Sequence, residues 1–146
     1  MIDDRAPALI RRAVSGDSLE HLIDAAYRRA EHARGGAALL DQLWDDDTEL
    51  ATVRSAMAAE VIAGHVWIAL LGEDIVASAL VRSHCVQAIW VEPAHRRHKI
   101  ATALLNAVLD ESDPPHDAWA LPGDRATKSL YESVGWKARL LTMRGA

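Results

Sequence analysis

An apolar run, Ala88-Ile89-Trp90-Val91, passes through Glu92-Pro93-Ala94-His95 into Arg96-Arg97-His98-Lys99-Ile100-Ala101 and on into a helical run from Ile100 to Leu109. No other stretch of the chain constrains its fold as strongly. A helix that opens at the end of a strand presents the unpaired N–H groups of its first turn past that strand, and its dipole adds to their positive potential. Such a terminus is an anion site. Two arginines, a histidine and a lysine in the turn raise the local positive charge. The residues themselves leave two readings open: a phosphate-binding turn, or an ordinary solvated loop that happens to be basic.

The rest of the chain supplies elements around that junction. Ala8 to Val14 reads as a first strand, and Asp17 with Glu20 forms a capping-box pattern. Leu19, Leu22, Ile23, Ala26, Tyr27 and Ala30 follow at helical spacing until Gly35-Gly36. A short helical piece covers Ala37 to Trp44. A second long helix carries Leu50, Val53, Met57, Val61 and Ile62 on one face and ends at Gly64. The period then changes. His65 to Leu71 and Ile75 to Val81 are apolar runs joined by Gly72-Glu73-Asp74, a hairpin signal. Val86 to Val91 is the next strand, and a helix spans about Lys99 to Glu111. Asp113-Pro114-Pro115 breaks that helix. Asp117 to Leu121 reads as a short strand, Pro122-Gly123-Asp124 opens a last helix ending near Gly135, and Lys137 to Arg144 reads as a final strand. This order predicts one α/β (α+β) domain over residues 1–146, with a mixed central sheet covered by helices.

Composition narrows the function classes. The net charge is −5, which argues against a general nucleic-acid binder. The one cysteine, Cys85, excludes an intramolecular disulfide framework and a thiolate metal cluster, and its position beside an apolar run predicts a buried structural thiol. Phe is absent and Trp occurs five times, so large core volume has to come from indole rings. The charged N-terminus carries no leader-like apolar segment, and no apolar run is long enough for a bilayer, so a cytoplasmic protein without membrane association is expected.

Two motifs in the second half carry a resemblance. The first is Trp90-Val91-Glu92-Pro93 followed by Arg96-Arg97-His98-Lys99-Ile100-Ala101 and Leu104-Leu105; the second runs from Asp124 through Leu130-Tyr131-Glu132 to Gly135-Trp136. Their order and spacing, together with the order of elements, resemble the GNAT superfamily of N-acetyltransferases. The resemblance implies the acyl-CoA N-acyltransferase fold, whose central sheet is mostly antiparallel. It also implies an enzyme that moves an acetyl group from acetyl-CoA to a primary amine by direct attack, without a covalent enzyme intermediate and without a metal. The pyrophosphate would lie on Arg96, Arg97, His98, Lys99, Ile100 and Ala101, and the rest of the donor against Trp90, Val91, Asp124 and Tyr131. Lys99 stands where the family usually has Gly, and Asp124 where Asn is common.

Tyr131 is the family-matched general acid, since a phenol is protonated at neutral pH and can donate to a leaving thiolate. The base is not evident; Glu92 and His84 are weak candidates, with His116 and Asp117 behind them. His95 and His98 flank phosphates or solvent, and no His/Cys/Asp spacing suggests a metal site. The acidic run Asp45 to Glu49 either borders the acceptor or caps the second long helix. The acceptor is expected to be a small-molecule, peptide or protein amine, with no nucleic acid as partner; a homodimer is compatible with the resemblance. The alternative is a non-catalytic acyl-CoA-binding or regulatory module on the same fold.

Overall fold

A computed structural model describes residues 7–45 and 47–143. The elements are β1 (Leu9–Arg12), α1 (Glu20–His32), α2 (Gly36–Trp44), α3 (Leu50–Ile62), β2 (Val66–Leu71), β3 (Asp74–Arg82), β4 (Cys85–Val91), a 3-10 turn (Pro93–His95), α4 (Ile100–Leu109), β5 (Asp117–Ala118) and α5 (Arg125–Ser133). The sheet order is β1-β2-β3-β4-β5. The first four strands pair antiparallel, and β5 joins β4 in parallel. The expected fold class, a mixed and mostly antiparallel sheet flanked by helices, is what the chain adopts.

Strand alternation builds the layers. On β2, Val66 and Ile68 pack with Leu22 of α1 and Val53, Met57 and Val61 of α3. Trp67 and Ala69 face the other way, onto Ile100, Leu104, Leu105 and Val108 of α4 and Tyr131 of α5. The sheet is therefore covered on both faces, as a run this apolar requires. Of the five indoles only Trp67 is fully buried; Trp44, Trp90, Trp119 and Trp136 are half-buried.

Three irregularities shape the molecule more than the regular pairs do. Leu80 pairs with Ala88 and Val81 with Val86, so Gln87 is an extra residue in β4, a β-bulge. β5 keeps its register with β4 for two residues only, Cys85 with Asp117 and Val86 with Ala118. Past the bulge the two chains part. Gly36 starts α2 against α1: a Cβ there would lie 1.5 Å from the Ala30 carbonyl oxygen, so only glycine permits the approach.

Several sequence expectations shift. Asp17 does not cap α1, which starts at Glu20 after Leu19 with no side-chain cap. Its carboxylate is taken instead by Arg11, through two bonds of 2.9 Å, and by the Val14 N–H at 2.7 Å. The hairpin link is shorter than read, because Asp74 already belongs to β3. The strand expected over Asp117 to Leu121 stops at Ala118, and residues 137–143 form no strand; Arg144 lies outside the described residues. A last strand would need a ladder to pair with, and two residues of β5 offer almost none.

Candidate active site

A cavity of about 920 Å³ opens where β4 and the chain after β5 diverge. Gln87 to Val91 line one side and Trp119 to Leu121 the other, with α1, α2, α3 and the start of α4 completing the wall. A volume at the upper end of the small-molecule range can hold a long donor arm and a compact second substrate together.

The basic turn forms one end of this space. After the 3-10 turn Arg96 is extended, and Arg97 and Lys99 both take left-handed backbone, with φ of 67° and 62°. Lys99 is the N-cap of α4 and gives no side-chain cap. The first intrahelical bond runs from Ala103 N–H to the Lys99 carbonyl at 3.0 Å, so the N–H groups of Ile100, Ala101 and Thr102 have no acceptor within the helix. All three residues line the cavity. Arg96 folds back: its Nε donates to the Val91 carbonyl at 3.0 Å, and its guanidinium lies 4.7 Å over the Trp90 ring. Trp90 Nε1 is buried without a hydrogen-bond partner.

The residues expected to hold a donor mostly meet here. Trp90, Val91, Arg96, Arg97, Lys99, Ile100, Ala101 and Asp124 line the cavity; His98 and Tyr131 do not. Asp124 caps α5, accepting from Thr127 N–H at 3.0 Å and from Thr127 Oγ1 at 2.6 Å, so both oxygens are engaged. Tyr131 is buried behind the wall. Its hydroxyl donates to the carbonyl of Trp119, a cavity residue, at 3.4 Å. Burial, with Cys85 and Asp124 nearby, pushes the Tyr131 phenol well above its ordinary value, so it stays protonated.

The base candidates fall outside the wall. Glu92 Oε1 lies 3.3 Å from His21 Nε2, and its other oxygen 3.9 Å from Nε2 of the cavity residue His95. His84 stacks on His116, ring centres 5.0 Å apart, beside Asp113 and Asp117 at the end of β4 away from the basic turn. Cys85 is buried; desolvation and the Asp117 charge push its thiol up to about 11, which leaves negligible thiolate at neutral pH. Of the acidic run, Asp45, Asp47 and Glu49 do not line the cavity, Asp46 lies outside the described residues, and Glu49 precedes α3 without capping it through its side chain.

Sequence reasoning missed the residue at the bulge. Gln87 is a buried polar side chain in the cavity wall. Arg82 Nε donates to its Oε1, while Arg82 Nη1 reaches Glu60 at 3.0 Å and Nη2 donates to the Leu43 carbonyl. The Arg82 guanidinium also lies 5.0 Å over the Trp44 ring, and Glu60 accepts from His65 Nδ1 at 2.7 Å. The available signal was one glutamine inside an otherwise apolar strand run, Val86-Gln87-Ala88-Ile89.

The acetyltransferase (GNAT) domain family matches residues 63–138, just over half of the chain, and the chain belongs to that family. It is thereby an acyltransferase. Among solved structures, a GCN5-related N-acetyltransferase from Ralstonia eutropha JMP134 is similar at 17% identity, over 95% of this chain and 98% of that one, with a TM-score of 0.60. The PaiA N-acetyltransferase of Thermoplasma acidophilum, solved with coenzyme A, is similar at 10% identity over 92% of each chain, TM-score 0.57. The ribosomal-protein-S18-alanine N-acetyltransferase of Escherichia coli is similar at 20% identity over 88% of this chain and 76% of that one, TM-score 0.55. These likenesses concern the fold. No curated protein matches the chain by sequence.

Proposed function

We propose that the protein transfers an acetyl group from acetyl-CoA to a primary amine by direct attack. One observation carries the reading: the unpartnered N–H groups of Ile100 to Thr102 open on the same cavity as the parted β4 and β5 segments. That pairs an anion site with a slot beside it. The donor's pyrophosphate fits this terminus, with Lys99 and Arg97 adding charge at its rim. The slot between Gln87–Val91 and Trp119–Leu121 takes the arm that carries the thioester. Attack forms the N–C bond and breaks the C–S bond; the amine gives up a proton and the leaving thiolate takes one. Tyr131 retains its proton throughout the working range and is the donor in this scheme; it stands behind the wall, so its hydroxyl has to turn from the Trp119 carbonyl to reach the sulfur. Cys85 takes no part, which leaves direct attack rather than a covalent enzyme intermediate.

Acetyl-CoA should raise the melting temperature by linkage, and less so as salt increases. Thiol release over a panel of amines then tests turnover. Tyr131→Phe should lower kcat about 10²-fold or more with acetyl-CoA binding retained. A second reading, an acyl-CoA-binding module without catalysis, draws on the position of Glu92, His84, His116 and Asp117 outside the cavity wall. Stabilisation by acetyl-CoA with no thiol release from any amine would select it.

A further inference from the structure

We propose that the acceptor is an α-aminoacyl amine with an apolar side chain, of the kind at a peptide N-terminus. Its carbonyl would be held by Gln87 and its amine would arrive already uncharged. The proposal rests on the acetyl-transfer reading and names the substrate class of that same cavity.

Three observations converge. First, the side chains that α2 and α3 bring to the cavity are apolar, Leu40, Leu43, Trp44, Val53 and Met57, with Leu80 of β3 beside them. An ammonium group has little there to replace its water, and desolvating an unpaired charge is costly. Second, the lining offers no counterion. Asp124 is the one carboxylate among the described lining residues, and both its oxygens are bonded to Thr127. The charged residues at the wall are otherwise cations, Arg29, Arg34, Arg96, Arg97 and Lys99. A diamine or polyamine is repelled by such a wall. Third, the apolar part contains one strongly oriented amide. Arg82 occupies Gln87 Oε1, and Arg82 is itself fixed by Glu60, the Leu43 carbonyl and the Trp44 ring. The end of Gln87 left for an occupant is Nε2, a donor. A donor calls for an oxygen on the substrate.

An α-aminoacyl group meets all three conditions. Its side chain fills the apolar wall, its carbonyl oxygen accepts from Gln87 Nε2, and its amine needs little help to lose a proton. An α-amine of pKa about 7.8 is roughly one-third neutral at pH 7.5, whereas a lysine ε-amine is neutral at only about 0.1%. That difference explains how attack can proceed with no carboxylate base on the wall. In the transfer step the neutral nitrogen bonds to the acetyl carbon, the sulfur leaves, and the nitrogen's extra proton passes to water.

The test compares kcat/KM for leucinamide, isopentylamine (the same body without the carbonyl), Nα-acetyl-lysinamide and cadaverine, each with acetyl-CoA. Leucinamide should exceed isopentylamine by about a thousandfold, about a hundredfold of it from the fraction neutral, since isopentylamine is as basic as a lysine side chain, and about tenfold from the hydrogen bond. It should exceed the two ε-type amines by about a hundredfold, through the fraction neutral. Gln87→Leu should lower the first ratio about tenfold, by raising KM for leucinamide alone, and leave the part that comes from the fraction neutral. Gln87→Glu keeps a partner for Arg82 and replaces the donor with a charged oxygen, so it should shift preference towards cadaverine. Cadaverine or the lysine ε-amine equalling leucinamide in the wild type overturns the proposal while leaving acetyl transfer intact. So does a leucinamide-to-isopentylamine ratio that neither variant changes. Absence of thiol release with every amine overturns the acetyl-transfer reading, and this proposal with it.

Discussion

Lys99 shows how far one residue can be read from sequence. Its place in the basic turn marks a position where glycine would be natural, and the structure gives it the backbone glycine would take, with φ of 62°. The turn is therefore strained in this chain, since a left-handed non-glycine residue costs about 1–2 kcal/mol. Lys99→Gly should stabilise the protein by about 1 kcal/mol, net of the greater freedom glycine gains in the unfolded chain, and raise Tm by about 3 °C. Urea and thermal unfolding measure this directly. If the ammonium contributes to pyrophosphate binding, the same variant should bind acetyl-CoA more weakly, with a shallower salt dependence. Gln87 is the opposite case. Its polarity was visible, but its role was not, because a bulge exists only relative to the partner strand. Which of Val86, Gln87 and Ala88 is the extra residue depends on β3 and on the reach of Arg82.

At the scale of elements, strong periodicity carried the reading and chain ends defeated it. The helices α1, α3, α4 and α5 and the strands β2 to β4 follow from their apolar spacing to within a few residues. The capping box at Asp17 failed because Arg11, six residues earlier, offers the carboxylate a bidentate charged partner and the Val14 N–H a third bond, so the carboxylate faces back along the chain rather than into α1. The C-terminal stretch failed for a different reason. Residues 137–143 have strand-like composition, but a strand is stabilised by its neighbours, and β5 offers only Asp117 and Ala118. Leu140 is 92% exposed and Leu141 69%. Leu140→Asp and Leu141→Asp should therefore each change stability by no more than about 0.5 kcal/mol. A loss of about 2 kcal/mol in urea unfolding would mean that this stretch packs after all, as the sequence pattern suggested.

The whole molecule is held together around the cavity by one polar chain that crosses its layers. His65 lies just before β2, Glu60 on α3, Arg82 on β3, Gln87 on β4, and the Leu43 carbonyl and Trp44 ring on α2. Two of its links join residues only five apart, but others span 22 and 39 residues, so no short window of the sequence could disclose the whole chain. Glu60 is the hub. Burial pushes its carboxyl up, but the hydrogen bonds and charges of His65 and Arg82 outweigh burial and hold it below the ordinary glutamate range. An acid whose pKa is depressed by folding contributes stability above its unfolded value, about 4.3, and loses that contribution as pH falls through the folded value. Glu60→Gln should thus cost about 1.5–3 kcal/mol at pH 7, the range for hydrogen bonds to a charged group. The gap to wild type should narrow below about pH 4, where the wild-type carboxylate is itself being protonated. Urea unfolding of both proteins at pH 7, 5 and 3.5 measures the gap. A gap that stays constant down to pH 3.5 would show that Glu60 acts through packing rather than charge. Because Arg82 is what orients Gln87, the same substitution should also erode selectivity for leucinamide over isopentylamine at pH 7, linking the stability of the fold to the choice of acceptor.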